Sequence, residues 1–168
     1  MRKKNLLKPN LSVHRVTDID LAALAGKGIR GFLLDLDNTL TVWHGMQVDA
    51  AVLDWLAKGK NQGLCFCVLS NSHAARVQPM EELLGIPVLY LSAKPRKRAF
   101  FKGCEKLNLS LSEVAMVGDQ LFTDIYGGNR AGLMTILTEP IDPHEMWGTM
   151  HFARPFERFV RRIQNKRR

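Results

Sequence analysis

A short apolar run that ends in two acidic residues places the strongest constraint on how this chain folds. Residues 32–34, Phe-Leu-Leu, are too few for a helix and predict a buried strand of a parallel sheet. Asp35 and Asp37 follow at its carboxyl end. Because side chains alternate along an extended backbone, both carboxylates can point into one crevice there. Such a pair suits a carboxylate nucleophile with a second carboxyl group that moves protons, and an Asx-rich turn is the alternative.

The rest of the sequence alternates between apolar runs and amphipathic segments. We predict strands at 31–36, 64–69, 88–91, 114–117 and 133–137, with helices at 50–61, 73–84, 96–107 and 122–131. This alternation predicts an α/β fold with a five-stranded, mainly parallel sheet and helices on both faces. Each segment between strands is filled by its own helix or loop, so we expect no cap domain.

Polar side chains follow four of these strands where each strand ends. They are Asp35 and Asp37 after the first strand, Ser70 and Asn71 after the second, Lys94 after the third, and Asp119 with Asp124 after the fourth. The carboxyl ends of parallel strands meet at one edge of the sheet, where open α/β sheets bind ligands. Acids, a hydroxyl group and a lysine at this edge are typical of phosphoryl transfer.

In type, order and spacing these residues resemble the four motifs of the haloacid dehalogenase (HAD) superfamily of phosphatases. The resemblance covers residues 31–138. It implies a HAD-type Rossmann-like fold, with Asp35 as the nucleophile and Asp37 as the general acid/base. It also implies a Mg²⁺ ion held by Asp35, the Asp37 carbonyl and Asp119, with Asp124 supporting the metal through water. The implied partners of the substrate phosphate are Thr39, Ser70, Asn71 and Lys94.

Longer sequence segments are similar to those of the YqeG-like subclass IIIA branch, which is related to the phosphatidylglycerophosphate phosphatases. They are residues 35–43, 117–124 and 127–130, together with Leu7-Lys8-Pro9. The resemblance implies a phosphomonoester hydrolase that converts phosphatidylglycerophosphate to phosphatidylglycerol. A site without a cap suits a phosphate carried on something large, because no lid can enclose a small substrate.

Two alternatives to a lipid substrate stay open from the sequence. One keeps the same chemistry on a soluble sugar or nucleotide phosphate. The other is a non-catalytic protein that binds RNA or a ribosomal partner. A pure binding protein needs neither the acids nor Lys94, so the intact motifs argue against the second alternative.

The net charge of +8 is concentrated at the two ends of the chain. The first eight residues contribute +4 and residues 154–168 contribute +6, which leaves the middle at −2. We predict a basic segment at 1–10, loosely ordered, and a basic amphipathic helix at about 155–165. This helix either docks on the sheet or lies on an anionic membrane surface. Its phenylalanine stripe is not a base-stacking module, which argues against nucleic acid.

The remaining features indicate one domain, residues 1–168, in a reducing compartment. Three cysteines argue against a disulfide framework, and we expect Cys65 and Cys67 to be buried thiols. No apolar run approaches the roughly 20 residues that span a bilayer. We therefore expect a cytoplasmic protein, peripheral on the inner membrane face if the basic helix binds lipid. Trp43 and His44, just past the nucleophile, are placed to line the mouth of the site.

Overall fold

The computed structural model describes residues 5–142, which form a single parallel sheet with helices on both faces. The six strands are β1 Leu11–Val13, β2 Gly31–Leu34, β3 Cys65–Leu69, β4 Val88–Leu89, β5 Val114–Gly118 and β6 Met134–Thr138. Their order is β1-β6-β5-β2-β3-β4, and every adjacent pair is parallel. This confirms the predicted fold class, with one strand more than expected.

Helices connect the strands as the alternating pattern predicts. The α-helices are α1 Leu21–Ala25, α2 Ala50–Asn61, α3 Ala74–Leu84, α4 Lys97–Leu107 and α5 Gly127–Ala131. Short 3-10 turns cover Val16–Asp18 and Leu111–Glu113. The segment predicted as one helix at 122–131 is divided, because a π-helical stretch, Leu121–Tyr126, precedes α5.

Strand β2 is central, and its side chains alternate between the two cores. Phe32 and Leu34 face the core covered by α1, α2 and α3, where Phe32 stacks on Phe66 at 5.4 Å between ring centroids. Leu33 faces the opposite core, where Phe100 of α4 packs. All four residues of β2 are buried, as expected for a strand covered on both faces. The acids that follow β2 are therefore attached to a strand that is buried on both faces.

The sixth strand lies at an edge that the sequence did not reveal. Among the strands between residues 5 and 142, β1 pairs with β6 alone, with Leu11 opposite Ile136, and it is largely exposed. Its three residues, Leu-Ser-Val, carry no continuous apolar run, which is why the pattern missed them. The chain before it is also more ordered than predicted, because the side-chain amide of Asn129 donates to the carbonyls of Leu6 and Lys8. Residues 7–9 and 127–130, both matched to the YqeG-like branch, thus lie together.

The structure corrects one further prediction and leaves others untested. Cys67 is buried but Cys65, the first residue of β3, is exposed, so the prediction was wrong for Cys65. Between residues 5 and 142 the strands are joined by the helices and 3-10 turns named above and by the loops between them, and no cap domain is present. No helix in this range is long and apolar enough to cross a bilayer. The helix predicted at 155–165 and residues 1–4 lie outside the described residues, and the extent of the domain to residue 168 stays a prediction.

Candidate active site

Three carboxylates meet at the carboxyl edge of the sheet. Asp35 continues β2, and its backbone N–H donates to the carbonyl of Val117 in β5 at 2.9 Å. Asp119 follows β5 directly, and Asp124 lies in the π-helical stretch beyond it. One oxygen from each of Asp35, Asp119 and Asp124 lies within 4.8 Å of the others, and all three residues are buried. We call these three residues the acidic cluster.

Gly118 explains how Asp124 reaches this position. A Cβ atom at residue 118 would lie only 2.2 Å from Oδ2 of Asp124, so no other residue fits beside that carboxylate. The backbone N–H of Gln120 then donates to the same Oδ2 at 3.1 Å and fixes the side chain. The wider π-helical turn carries Asp124 inward, and π-bulges are frequent at functional sites. Gly118 therefore makes room for the Asp124 carboxylate and Asp119 belongs to the acidic cluster, so this pair is more than an ordinary turn.

Lys94 lies between two members of the acidic cluster. Its Nζ is 2.5 Å from Oδ1 of Asp35 and 2.8 Å from Oδ1 of Asp124. The Lys94 side chain is only 2% exposed. Its backbone is held by Asn71, whose side chain accepts from the Lys94 N–H at 2.8 Å and donates to the Lys94 carbonyl at 3.1 Å. Asn71 thus orients the loop that delivers the lysine.

The electrostatics of the cluster follow from burial and from too few positive charges. Burial, with repulsion from Asp124 and Asp37, raises the pKa of Asp35 to about 7 although Lys94 opposes the shift. Burial, with repulsion from Asp35 and Asp124, raises the pKa of Asp119 to about 8. Burial acts to lower the pKa of Lys94, but the carboxylates of Asp124 and Asp35 outweigh it and hold that pKa above its ordinary value.

Asp37 lies in a different environment, only two residues from Asp35. Its Oδ1 accepts from Nη2 of Arg76 at 2.9 Å and from the backbone N–H of His44 at 3.1 Å. Its Oδ2 accepts from the hydroxyl of Ser72 at 3.2 Å. The Asp37 carboxylate is therefore bound by three donors from α3, the loop before α3 and the loop after β2. We call Asp37, Ser72 and Arg76 the arginine pocket.

The other predicted residues lie around these two groups. Thr39 is buried, and its hydroxyl donates to Oδ1 of Asp119 across 3.5 Å. Ser70 is buried at the end of β3, where its hydroxyl oxygen accepts from the Ser72 N–H at 3.1 Å. Trp43 packs edge-on against the ring of His44, with centroids 5.2 Å apart. His44 reaches the site through its backbone N–H.

Arg76 and Ser72 are the residues that sequence reasoning missed. Nη2 of Arg76 also donates to the carbonyl of Gly45 at 2.8 Å, so one guanidinium joins α3, Asp37 and the loop after β2. An arginine in the first turn of a helix has no sequence signature of its own. The usable signal was the distance along the chain, since Arg76 lies five residues after Asn71, in the first turn of the helix that begins at the active edge.

The acidic cluster fits a small divalent cation. Its three carboxylates face one lysine, which leaves a formal charge of −2 when all are ionised. Buried carboxylates with raised pKa values gain most from a bound cation, because the cation removes their mutual repulsion. Mg²⁺ takes oxygen ligands and is bound through one or two carboxylates with waters and a substrate phosphate.

Comparison with known proteins places the chain in a family. Residues 1–142 match the family model described as mitochondrial PGP phosphatase, in which PGP stands for phosphatidylglycerophosphate. The chain belongs to the PGP phosphatase family. It is 33% identical over 157 residues to the probable phosphatase YqeG of Bacillus subtilis, covering 94% of this chain and 91% of that protein.

A plant relative and a solved structure extend this result. The chain is 30% identical over 154 residues to phosphatidylglycerophosphate phosphatase 1, chloroplastic/mitochondrial, of Arabidopsis thaliana, covering 86% of this chain but 44% of the plant protein. An uncharacterized protein from Listeria monocytogenes serotype 4b shares the fold with a TM-score of 0.56, at 21% identity, over 65% of this chain and 78% of that protein. The family match and these relatives show that the protein is a phosphatase, and the solved structure shows a shared fold.

Proposed function

We propose that this phosphatase hydrolyses the terminal phosphomonoester of phosphatidylglycerophosphate, with Asp35 as nucleophile and Mg²⁺ as cofactor. The observation that carries the proposal is the acidic cluster with Lys94 buried among it, in a chain whose relatives include phosphatidylglycerophosphate phosphatases. The open carboxyl edge supports a lipid substrate. A phosphate on a large head group needs no enclosing lid, and the described residues provide none.

In the first step, a carboxylate oxygen of Asp35 attacks the phosphorus atom. A new bond forms between that oxygen and phosphorus, and the bond between phosphorus and the ester oxygen of glycerol breaks. Asp37, in its protonated form, gives its proton to the departing alkoxide. The products are phosphatidylglycerol and a phosphorylated Asp35.

In the second step, Asp37 acts as the base. It takes a proton from a water molecule, whose oxygen attacks the phosphorus of the aspartyl-phosphate. The bond between phosphorus and Asp35 breaks, which releases inorganic phosphate and regenerates the carboxylate. Alternating the roles of acid and base in one residue requires Asp37 to hold a fixed position in both steps.

Positive charge near the phosphoryl group stabilises the transition state. Lys94, whose Nζ lies 2.5 Å from Oδ1 of Asp35, would neutralise charge on the phosphoryl oxygens. Mg²⁺, held by Asp35, Asp119, the Asp37 carbonyl and, through water, Asp124, would supply further charge neutralisation. The hydroxyls of Thr39 and Ser70 are donors at the same edge.

Two residues act through others rather than on the substrate. Asn71 engages both polar atoms of its side chain with the Lys94 loop, so we assign it the positioning of Lys94 in place of a phosphate contact. Arg76 holds Asp37 together with the loop after β2, and we assign it the positioning of the general acid/base.

The experiment is a substrate panel with purified full-length protein and Mg²⁺. It compares phosphatidylglycerophosphate in detergent micelles with glycerol 3-phosphate, sugar phosphates, nucleoside monophosphates and an aryl phosphate. We expect phosphatidylglycerophosphate to have the largest kcat/KM by at least about 10²-fold, because remote binding energy is used at the reacting centre. Asp35→Asn controls for contaminating phosphatases.

Three outcomes would contradict parts of this proposal. A soluble phosphate with the largest kcat/KM would replace the lipid substrate and keep the chemistry. Full activity in excess EDTA would remove Mg²⁺. No hydrolysis of any substrate, together with tight binding to RNA, would favour the non-catalytic alternative.

A further inference from the structure

Exposed apolar side chains are concentrated at the edge of the sheet that carries the site. Among residues 5–142, nine large apolar side chains are exposed. Three lie elsewhere, namely Leu11, Leu83 and Phe101, and six follow the carboxyl end of a strand, namely Val42, Met46, Tyr90, Leu91, Phe122 and Ile141. Single exposed apolar residues are ordinary, but their concentration at one edge indicates an interaction surface.

Leu91 is the least expected of these residues. It is 55% exposed and has φ of +47°, in the left-handed region that non-glycine residues rarely adopt. Asparagine or glycine would fit this backbone at less cost, and neither would expose an apolar side chain to water. Neither local conformation nor packing therefore explains a leucine here. A hydrophobic partner that covers Leu91 would explain it.

Leu91 and Met46 are both tied to the general acid/base. The N–H of Leu91 donates to the carbonyl of Ser72 at 3.0 Å, and the hydroxyl of Ser72 donates to Asp37. On the other loop, Nη1 of Arg76 donates to Sδ of Met46 at 3.5 Å while its Nη2 contacts Asp37. Leu91 and Met46 therefore each form a hydrogen bond with a residue of the arginine pocket. These two apolar residues, from separate loops, lie at the mouth of the site.

Basic residues begin α4 at the same edge. Arg96 is the N-cap of this helix, Lys97 and Arg98 follow in its first turn, and all three are exposed. The first turn contains no acidic residue. Positive charge at a helix N-terminus opposes the helix macrodipole, so this arrangement lowers the stability of the helix. An anionic partner would offset that loss, and these residues directly follow Lys94 and Pro95.

We propose that these residues form a membrane-docking rim that seats the active site on an anionic lipid bilayer. The rim comprises Val42, Met46, Leu91, Arg96, Lys97 and Arg98. Apolar tips beside exposed basic side chains complement acyl chains beneath anionic head groups. The proposal rests on the proposed lipid substrate, because a docked rim places the cluster next to a head-group phosphate. It concerns the folded edge of the sheet, and not the basic helix predicted at 155–165.

The first test is flotation of the full chain with vesicles of equal parts phosphatidylglycerol and phosphatidylcholine. Leu91→Asn should weaken vesicle binding about tenfold, because a partly buried leucine side chain is lost from the bilayer. Its melting temperature should be unchanged or higher, since asparagine tolerates positive φ. The matched control is Leu83→Asn, which changes another exposed leucine on α3 and should bind as the native chain does.

The second test separates local charge from net charge. Replacing Arg96, Lys97 and Arg98 together by Gln should weaken binding on the order of 100-fold, because each basic side chain near an anionic surface contributes to attraction. The control replaces Lys27, Lys58 and Lys106 by Gln, which removes the same charge from the opposite edge of the sheet. The vesicle affinity of this control should be within about threefold of the native value, because only the small effect of net charge is lost.

Binding is measured without turnover, so the rim and the proposed substrate can fail separately. Equal vesicle binding by the native chain, Leu91→Asn and the rim charge variant would overturn the rim, even if phosphatidylglycerophosphate in micelles is the best substrate. Absence of vesicle binding by the native chain would overturn it as well. If soluble phosphates are preferred while rim variants still lose vesicle binding, the substrate proposal fails and the rim stands.

Discussion

Asp35 and Asp37 follow the same strand two residues apart, yet their surroundings differ in charge. Asp35 lies mainly among other carboxylates, whereas Asp37 is bound by hydrogen-bond donors that include a guanidinium. Asp35 joins two other buried carboxylates and shares a single lysine, so the acidic cluster is short of positive charge. Asp37 lies in the arginine pocket, where a guanidinium, a hydroxyl and a backbone N–H bind its carboxylate. Neighbouring residues of one type therefore have different partners and, in our account, different tasks.

The difference shows how one strand end can serve two chemical roles. A group of carboxylates that lacks counter-charge has affinity for a cation and then for a phosphoryl group. A carboxylate that already has its partners is held in place and can donate and accept protons without binding metal through its side chain. If this account is right, substitutions in the two regions should alter different kinetic quantities.

The largest effect is expected for Asp35→Asn. An amide is a far poorer nucleophile than a carboxylate, so kcat should fall about 10⁴-fold or more. The measurement is steady-state hydrolysis of an aryl phosphate with Mg²⁺. Asp54→Asn, at an exposed position of α2, is the matched control and should retain native activity. Near-native turnover by Asp35→Asn would remove this residue from the role of nucleophile.

The next largest loss of activity is expected for Lys94→Met. The substitution keeps the length of the side chain and removes one charged donor, so kcat should fall about 10²–10³-fold. The metal-free protein should also melt at lower temperature, because Asp35 and Asp124 lose the cation between them. A loss of activity below about fivefold would make Lys94 an ordinary loop residue.

A substitution of Arg76 tests the arginine pocket. Arg76→Met should lower kcat about 10–100-fold with KM within about threefold, because Asp37 loses its position while the acidic cluster is intact. Arg76→Lys should restore part of the rate, because the lysine ammonium can still donate to Asp37. Unchanged kcat in Arg76→Met, or no recovery in Arg76→Lys, would leave Arg76 with a purely structural role.

The smallest effect concerns stability as a function of pH. Asp119 titrates near 3.8 when unfolded but at about 8 in the fold, so ionisation favours the unfolded chain. Its contribution to stability is fully present below about pH 4 and is lost as the pH rises to about 8. Asp35, with a pKa of about 7, acts in the same direction. Mg²⁺ should reverse the loss, since the metal binds the deprotonated groups.

Thermal melts with and without Mg²⁺ check this expectation. The rise in melting temperature caused by Mg²⁺ should be larger at pH 8 than at pH 5. Asp119→Asn removes one titrating group, so the metal-free variant should lose less stability than the native chain over that range. A Mg²⁺ response that is independent of pH would contradict the assignment of the cluster as the cation site.

The sequence predicted the frame of the site because its signals are local. Apolar runs mark the buried strands, and polar residues directly after them must lie at the carboxyl edge of a parallel sheet. Asp35, Lys94, Asp119 and Asp124 were all predicted at this edge in this way, and the structure brings them together, while their roles stay a prediction. Strand β1 was missed because it has no continuous apolar run, and because the contacts beside it, such as those in which Asn10 Oδ1 accepts from the N–H and hydroxyl of Thr135, span 125 positions of sequence.

The partners of Asp37 could not be predicted for the same physical reason. Arg76 contacts Asp37 across 39 positions of sequence, and apart from its place shortly after Ser70 and Asn71 nothing distinguishes it from a solvated helical arginine. The contacts of Asn71 could not be predicted either. Its place beside Ser70 predicted a phosphate contact, which stays a prediction, and the structure shows that its amide group bonds to the Lys94 backbone. Long-range side-chain contacts follow from the three-dimensional fold, and the sequence pattern reports only which edge they share.

The most direct test of the division between Asp35 and Asp37 is to trap the phosphorylated enzyme. Asp37→Asn should still be phosphorylated by a substrate with a good leaving group, because such a group departs without a proton, and hydrolysis should then stall. After rapid acid quench and proteolysis, mass spectrometry should find one phosphoryl group on the peptide that contains Asp35. A phosphoryl group on another residue, or continued turnover without any labelled peptide, would contradict the account.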